Sequence, residues 1–242
     1  MRTDAVQRVL EAELVAARER RHGADPLVLD VGGGSGVWAV PLAAAGCLVT
    51  VIDSSPNALA TLRRRAEEAG VAGRIAAVQG DADALTEVVP DEGVDLVLGH
   101  GVLEVVDDAE AAVAALAAAA CAGGAVSVLV ANRYAAVLGR AMAGRLGDAR
   151  RLLDDPSGRV GAHDPVLRRF DAEGLAELVG GAGLTVEVLQ GHGVLHDLVP
   201  GAVLEAPGAA EALADLELAA ATRSPLRDVA SRLHALGRRG SA

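Results

Sequence analysis

The stretch Val28-Leu29-Asp30-Val31-Gly32-Gly33-Gly34-Ser35-Gly36 decides how the rest of the sequence is interpreted. Its first four residues continue an apolar run from Leu27, which is typical of a short buried strand. The glycine cluster then leads into a helical pattern over 37–45. Glycines at such a turn let the backbone approach a ligand closely, and amides at the start of the helix point outward. The stretch therefore predicts a strand, a ligand-binding loop and a helix.

The spacing of the glycines argues against a dinucleotide site and against a nucleotide-dependent reductase. A dinucleotide fingerprint has the frame Gly-x-Gly-x-x-Gly, and from Gly32 that frame places Val37 where the third glycine is needed. The frame found is Asp-x-Gly-x-Gly-x-Gly, beginning at Asp30. A carboxylate this close to the loop would repel a pyrophosphate, whereas it would attract the ammonium group of an amino acid.

Two further predicted strands end in polar residues. The run 48–52 is followed by Asp53, whose carboxylate can accept two hydrogen bonds from ribose hydroxyls. The run 74–79 is followed by Gly80-Asp81-Ala82-Asp83, a polar tip suited to the edge of an adenine. Because the carboxyl ends of neighbouring parallel strands meet at one edge of a sheet, we expect these tips and the glycine loop to form one site.

Predicted strands and helices alternate along most of the chain. Strands at 94–99 and 126–130 flank a helix at 108–120, with Gly123-Gly124 expected as the turn between them. The pattern predicts an α/β fold with a mostly parallel sheet and helices on both faces. We expect one domain over 1–242, with 1–25 as an N-terminal helical cap. The arginine-rich segment 131–170 has no clear periodicity and is expected to be an acceptor-side insertion.

These motifs together resemble the class I S-adenosylmethionine-dependent methyltransferases. The resemblance implies a Rossmann-like sheet of seven strands whose last strand is antiparallel, which makes 232–237 a strand. It implies S-adenosyl-L-methionine as cofactor, S-adenosyl-L-homocysteine as product and no metal. The cofactor-binding residues that it implies run from the methionine part through the ribose to the adenine: Asp30, Gly32, Gly33, Gly34, Asp53, Ser54, Asp81 and Ala82.

A narrower resemblance covers nearly the whole chain. The stretch LGHGVLEVVD at 98–107 is similar to one in bacterial tRNA uridine-5-carboxymethoxyacetic acid methyltransferases, which esterify a carboxylate on the wobble uridine. This similarity implies that Arg2 contacts the carboxylate of the cofactor. The lysine run of that family is absent, however, and its late glycine-valine-arginine is replaced by Gly191-His192-Gly193. We therefore favour methyl transfer to a small-molecule or carboxylate acceptor, with the tRNA ester as the alternative.

Two histidines are the candidate catalytic residues. His100 follows the fourth strand, where it would line the cofactor pocket, and His196 lies in a turn after the sixth strand. Either could act as a base for a hydroxyl or amine acceptor, whereas a carboxylate acceptor needs none. Asn132, His196 and Asp197 are the candidate substrate-binding residues. A non-catalytic protein that retains cofactor binding is the alternative from another class.

Composition and charge limit the partners. The net charge is −11, with 33 acidic residues against 22 basic ones, all of which are arginine. A generally basic surface that coats nucleic acid is excluded, although a local arginine patch is not. If tRNA were the acceptor, that patch would come from the scattered arginines at 145, 150, 151, 159, 168 and 169.

Several features indicate a cytoplasmic protein with no membrane partner. Cys47 and Cys121 are isolated, which fits a reducing compartment. The N-terminus lacks an apolar signal core. The uncharged segment 111–131 is better explained as an alanine-rich helix and a β-branched strand than as a membrane span. The histidines are too dispersed to suggest a metal site, and the sequence leaves the oligomeric state open.

Overall fold

The computed structural model describes residues 4–80, 85 and 89–241. In these ranges the chain forms one seven-stranded sheet in the order β3-β2-β1-β4-β5-β7-β6. The strands are β1 (Leu27–Val31), β2 (Leu48–Asp53), β3 (Ile75–Gln79), β4 (Val94–His100), β5 (Ala120–Ala131), β6 (Leu184–His192) and β7 (Arg232–Arg239).

The described α-helices begin mostly at the cap residues that the sequence provides. Ser55 accepts a hydrogen bond from the Ala58 amide, and Asp108 and Asp171 cap the helices that follow them in the same way. The helices are α1 (Ala5–Arg20), α2 (Ala39–Ala44), α3 (Pro56–Glu68), α4 (Ala109–Ala119), α5 (Arg133–Met142), α6 (Leu146–Asp154), α7 (Ala172–Gly181) and α8 (Ala209–Ala221).

The direction of the strands places a crevice at the centre of the sheet. β1, β2, β3, β4 and β5 are parallel to their neighbours among these, whereas β7 is antiparallel to both β5 and β6. The chain moves outward from β1 to β3 and then returns to the other side of β1 with β4. In open α/β sheets, ligands bind at the carboxyl ends of the strands where the order reverses in this way.

Both faces of the sheet are covered, so the strands are apolar on both sides. One face packs α1 and α3 against β1 and β4 through residues such as Leu10, Leu62 and Leu98. The other face packs α4 and α7 through Val113 and Leu175. Alternate residues of one strand pack into the apolar clusters on the two faces of the sheet. This explains the near-continuous apolar runs of a mainly parallel sheet.

The predicted fold class is confirmed, including the antiparallel last strand. The expectation of a strand at 232–237 comes from the resemblance. β7 covers Arg232–Arg239 and pairs along its length with both neighbours. The boundaries proposed for the helical cap and the insertion stay predictions. α1 nevertheless buries Leu10 and Leu14 against the sheet, so this helix is part of the main core.

Two local expectations are wrong. The predicted turn at Gly123-Gly124 lies inside β5, because β5 already begins at Ala120, which pairs with Val94 of β4. The register with β4 then shifts before the next pair, Leu96 with Ala125, so residues 121–124 form an irregularity within the strand, in which Gly123 has a φ angle of +73°. The segment 131–170 is more regular than expected, because it contains α5 and α6.

No helix in the described part of the chain combines the length and the apolar character needed to cross a membrane. The segment 111–131 indeed divides between α4 and β5.

Three of the predicted cofactor residues, Arg2, Asp81 and Ala82, lie outside the described residues.

Candidate cofactor and acceptor site

The glycine loop after β1 has a backbone that side chains would disturb. Gly32, Gly34 and Gly36 have φ angles of +66°, +56° and +78°, in the left-handed region that favours glycine. Gly33 needs to be glycine for a different reason. A Cβ there would stand 2.4 Å from Oδ2 of Asp30. The loop therefore exposes backbone at the carboxyl end of β1, where the sequence predicts the methionine part of a cofactor.

Asp53 lies at the end of β2, next to the loop. Its Oδ2 accepts a hydrogen bond of 2.9 Å from the Gly34 amide, and its Oδ1 accepts one of 2.8 Å from the Ser55 amide. Each carboxylate oxygen has a second lone pair. The residue can therefore hold the loop in place and still accept bonds from two ribose hydroxyls. Ser54, predicted beside it, is exposed.

Asp30 is buried beneath the loop, with 1% of its surface exposed. Its Oδ2 is buried without a hydrogen-bond partner among the described residues. Burial, and secondarily the charge of Asp53, raise the pKa of Asp30 to about 7. A buried carboxylate oxygen without a partner costs free energy, and an ammonium group would remove that cost.

These residues fit S-adenosylmethionine on the evidence of the orphaned oxygen and the glycine loop. Asp30 provides an unpaired acceptor where the amino-acid ammonium is expected. The glycine loop has no room for a side chain at Gly33, where a Cβ would clash with Asp30. Asp53 retains acceptor capacity at the neighbouring strand end. The adenine end depends on Asp81 and Ala82, which are outside the described residues.

His100 ends β4 at the same edge of the sheet. Its ring lies edge-on to Trp38, with centroids 4.9 Å apart, and its Nε2 is 2.8 Å from Oγ of Ser127. Burial lowers the pKa of His100 well below its usual range, helped by the nearby His234. A ring that resists protonation is a poor general base. The structure thus favours a positioning role for His100.

The loop after β4 is anchored from the insertion segment. The guanidinium of Arg168 donates hydrogen bonds to the carbonyl oxygens of Leu103 and Asp107, at 2.8 and 2.6 Å. Glu104 is 4% exposed, and its Oε1 accepts a bond of 3.1 Å from the Ala131 amide. These contacts join the loop after β4 to the end of β5 and to Arg168.

A cavity of about 190 Å³ lies at the end of β6, beside α1 and α8. Its polar lining includes Asp4, His192 and His196, and its apolar lining includes Leu213 and Leu218. Glu217 on α8 accepts hydrogen bonds from three successive backbone amides, those of residues 194, 195 and 196. This clamp holds the turn that carries His196 against the cavity.

Two other predicted substrate residues have structural partners. Nδ2 of Asn132 donates to the carbonyl oxygens of Asp228 and Ala230, and its Oδ1 accepts from the Tyr134 amide. Asn132 is therefore the cap of α5, and its amide nitrogen is fully used. Oδ2 of Asp197 accepts a bond of 2.8 Å from the Ser231 hydroxyl. Only His196 of the three lines the cavity.

The arginines predicted as a phosphate-binding patch mostly have partners already. Arg169 forms an ion pair with Asp164, with N to O distances of 2.8 and 3.0 Å. Arg150 and Arg151 pair with acids on their own helix, α6. Arg168 is engaged by the β4 loop. These four arginines therefore make separate structural contacts and do not form one patch.

The residues that surround His100 are not among those predicted from the sequence. Trp38 packs against its ring, Ser127 bonds to it, and His234 of β7 bonds to the same serine hydroxyl at 2.8 Å. A polar residue inside an apolar strand run is the available signal for Ser127 and His234. Their mutual contact depends on the pairing of β5 with β7, which periodicity alone does not give.

Comparison with known proteins supports the predicted class. Residues 28–124 match the methyltransferase domain family, and this range runs from β1 to the first residues of β5. The curated ubiquinone biosynthesis O-methyltransferase of Methylobacterium sp. (strain 4-46) is 35% identical over 124 residues, which is 47% of this chain and 48% of that protein. The matched region is thus about half the length of that relative.

Solved structures show the same fold at low identity. The magnesium protoporphyrin IX methyltransferase ChlM of Synechocystis PCC 6803, solved with bound S-adenosylhomocysteine, matches with a TM-score of 0.59 and 15% identity over 97% of this chain and 83% of its own. The [4+2]-cyclase SpnF matches with a TM-score of 0.58 and 17% identity, over 98% and 84%.

The sheet order, the glycine loop and these matches define a Rossmann-like class I methyltransferase fold. The match over 28–124 is to a methyltransferase domain, and it covers all the predicted cofactor residues except Arg2. These findings support the prediction of an S-adenosylmethionine-dependent methyltransferase. The tRNA-modifying family suggested by residues 98–107 does not appear among the matches described above.

Proposed function

We propose that this protein transfers a methyl group from S-adenosylmethionine to a small-molecule acceptor. The observation that carries the proposal is the glycine loop, which is tied to Asp53 and lies over the unpaired carboxylate oxygen of Asp30. A loop that served only as a turn would need neither acid. The methyltransferase domain match over the same residues supports this interpretation.

The protein's part in such a reaction is mainly alignment. The cofactor supplies a methyl group already activated by its sulfonium. Asp30 would bind the ammonium, Asp53 the ribose, and the loop backbone the atoms between them. His100, at the same edge of the sheet, forms an edge-on pair with Trp38. Holding donor and acceptor in line removes much of the entropic cost of their encounter.

The acceptor site that fits best is the cavity beside α8. Its volume of about 190 Å³ suits a small molecule or one ring of a larger one. Leucine side chains line one part, and His192 and His196 line another. We propose His196 as the base for a hydroxyl or amine acceptor, because the pKa of His100 is lowered and the Nε2 of His100 is engaged.

Two alternatives are tested by the same experiment. The fold alone does not fix the reaction, as the cyclase among the structural matches shows. A non-catalytic binder would bind the cofactor without turnover. The tRNA ester would give a labelled nucleic acid.

The experiment incubates the protein and methyl-labelled cofactor with a small-metabolite extract and, separately, with a tRNA pool. We expect label in a small molecule. Leu213→Trp should fill the cavity and abolish that transfer while cofactor affinity stays within about twofold. Leu216→Trp is the matched control, because Leu216 lies on the same helix but is 51% exposed. Cofactor binding without transfer to either pool, or transfer to tRNA alone, would contradict the proposal.

A further inference from the structure

A chain of hydrogen bonds crosses four strands of the sheet behind His100. Nε2 of Gln190 on β6 lies 3.0 Å from Nδ1 of His234 on β7. Nε2 of His234 lies 2.8 Å from Oγ of Ser127 on β5, and that hydroxyl lies 2.8 Å from Nε2 of His100 on β4. Ser127 and His234 are fully buried and Gln190 is 4% exposed.

With the amide nitrogen of Gln190 facing His234, the chemistry of the four groups assigns a direction to each bond. The Gln190 amide nitrogen only donates, so Nδ1 of His234 accepts and its proton is on Nε2. His234 then donates to Ser127. The serine oxygen could accept a second bond from His100, but its own proton would then lack a partner among the described residues, so we take the Ser127 hydroxyl to donate to Nε2 of His100. The proton of a neutral His100 is therefore on Nδ1. That nitrogen is buried without a partner among the described residues.

We propose that Gln190, His234 and Ser127 hold His100 as the neutral Nδ1–H tautomer, which makes His100 a hydrogen-bond donor to an oxygen of the bound ligand. The assignment of the tautomer stands on the contacts and on the orientation of the Gln190 amide, whereas the role toward the ligand rests on the proposed function. In this arrangement Gln190, His234 and Ser127 are positioning residues.

The surroundings keep both rings neutral. Burial, and secondarily the charge of the nearby His192, lower the pKa of His234 to about 3. The pKa of His100 is lowered by burial first and then by His234, Arg232 and His192. These three cationic or titratable groups come from β7 and β6, so the environment of His100 opposes a charge from more than one side. A neutral ring needs a defined tautomer to present a defined group.

The unpaired Nδ1–H separates this arrangement from a purely structural network. A structural histidine gains most when both nitrogens are satisfied, because a buried donor without a partner destabilises the fold. Here one nitrogen is satisfied through three successive bonds and the other is left without a partner at the edge of the sheet that would hold the cofactor. An N–H dipole disfavours a sulfonium and favours an oxygen. The oxygen belongs either to the cofactor's carboxylate or to the acceptor.

The test is nuclear magnetic resonance of the full chain labelled with ¹⁵N-histidine. Loss of one set of signals in His100→Gln and of another in His234→Gln assigns the two rings among the six histidines. We expect His100 as a single Nδ1–H tautomer and His234 as a single Nε2–H tautomer, neither titrating between pH 6 and 8. A proton on Nε2 of His100, or a mixture of its tautomers, would overturn the proposal.

Variants then test the link between the rings. Ser127→Ala removes the connecting hydroxyl, so His100 should change to a mixture of tautomers. Gln190→Leu should do the same through His234. Val128→Ala is the control, because Val128 is equally buried on the same strand and makes no bond in the chain. If the His100 tautomer is unchanged in both Ser127→Ala and Gln190→Leu, the hydrogen-bonded chain does not determine it. The measurement on the wild type stands even if a variant fails to fold.

The role of His100 toward the ligand is tested by adding S-adenosylhomocysteine and then benzoate, whose carboxylate serves as an oxygen probe. A shift of the His100 Nδ1–H resonance with S-adenosylhomocysteine alone identifies the cofactor's carboxylate as the partner. A shift only after benzoate is added to the saturated complex identifies the acceptor's oxygen. No shift in either arm, with binding verified by calorimetry, would overturn the donor role. Failure of S-adenosylhomocysteine to bind at all would contradict the proposed function and leave the tautomer result standing.

Discussion

The carboxylate of Asp53 accepts a hydrogen bond of 2.9 Å from the backbone amide of Gly34. This contact joins the end of β2 to the glycine loop after β1. The group proposed to bind the ribose therefore also sets the shape of the loop proposed to hold the methionine part. One substitution at Asp53 acts on both ends of the cofactor site.

Asp53→Ala should weaken S-adenosylmethionine binding by at least about tenfold, because hydrogen bonds to a charged group contribute roughly 1.5–3 kcal/mol. Asp53→Asn should bind with intermediate affinity, since its amide keeps one acceptor oxygen. Isothermal calorimetry measures both. Asp91→Ala, at an exposed acid, is the control. If Asp53→Ala and the control bind equally well, Asp53 is only a structural link to the loop.

Two glycines of one loop should separate ligand binding from folding. At Gly34 the nearest described atom to an added Cβ is 3.7 Å away, so Gly34→Ala should fold with a cost of about 1–2 kcal/mol for the left-handed backbone. Its methyl group would occupy the space beside Asp53, and cofactor binding should fall at least about tenfold.

At Gly36 an added Cβ would stand 2.3 Å from Cδ1 of Leu62, inside the core. Gly36→Ala should therefore lower the melting temperature more than Gly34→Ala does. Thermal unfolding and calorimetry on the two variants give the comparison. Equal losses of stability and of binding in both variants would be inconsistent with this division.

The sequence was sufficient for the parts of the site that depend on local chemistry. Gly32, Gly34 and Asp53 follow from strand ends and backbone freedom, and the structure brings them together as expected. The roles of Asn132 and the arginines were not accessible in this way. The side-chain amide nitrogen of Asn132 donates to carbonyl oxygens 96 and 98 residues away in the sequence. The guanidinium of Arg168 donates to a carbonyl oxygen in a loop more than 60 residues away. Periodicity carries no information about such distant partners.

Asp30 gives the cofactor site a dependence on pH. Its pKa is about 7 in the ligand-free protein, so the carboxyl is mostly protonated at pH 6. An ammonium group favours the ionised form and lowers that pKa. Binding of S-adenosylmethionine at pH 6 should therefore release about one proton, and the affinity should increase as the pH rises toward 8. Calorimetry in buffers of different ionisation enthalpy counts the protons. Asp30→Asn should release none, and a wild type that releases none either would exclude the contact.

The same residue should affect the stability of the ligand-free protein, with a definite sign. The pKa of an aspartate in the unfolded chain is about 4, below the folded value of about 7. Between these values the folded chain holds the proton and the unfolded chain does not, so stability falls as the pH rises from about 4 to 7. Chemical denaturation should show this slope in the wild type and not in Asp30→Asn. A slope shared by both would assign the effect to other groups.

Binding to tRNA should be weak or absent at physiological salt. The net charge is −11, and Arg150, Arg151 and Arg169 are already paired with acids. An electrophoretic shift series across salt concentrations tests the expectation. Each phosphate neutralised would contribute a slope of about −0.9 on a duplex, or about −0.7 on a single strand. Arg145→Gln is the informative variant, because Arg145 precedes α6 in the same segment and has no acidic partner among the described residues. Tight binding that weakens steeply with salt, and weakens further in that variant, would restore the tRNA acceptor and place its phosphates on the arginine-rich segment.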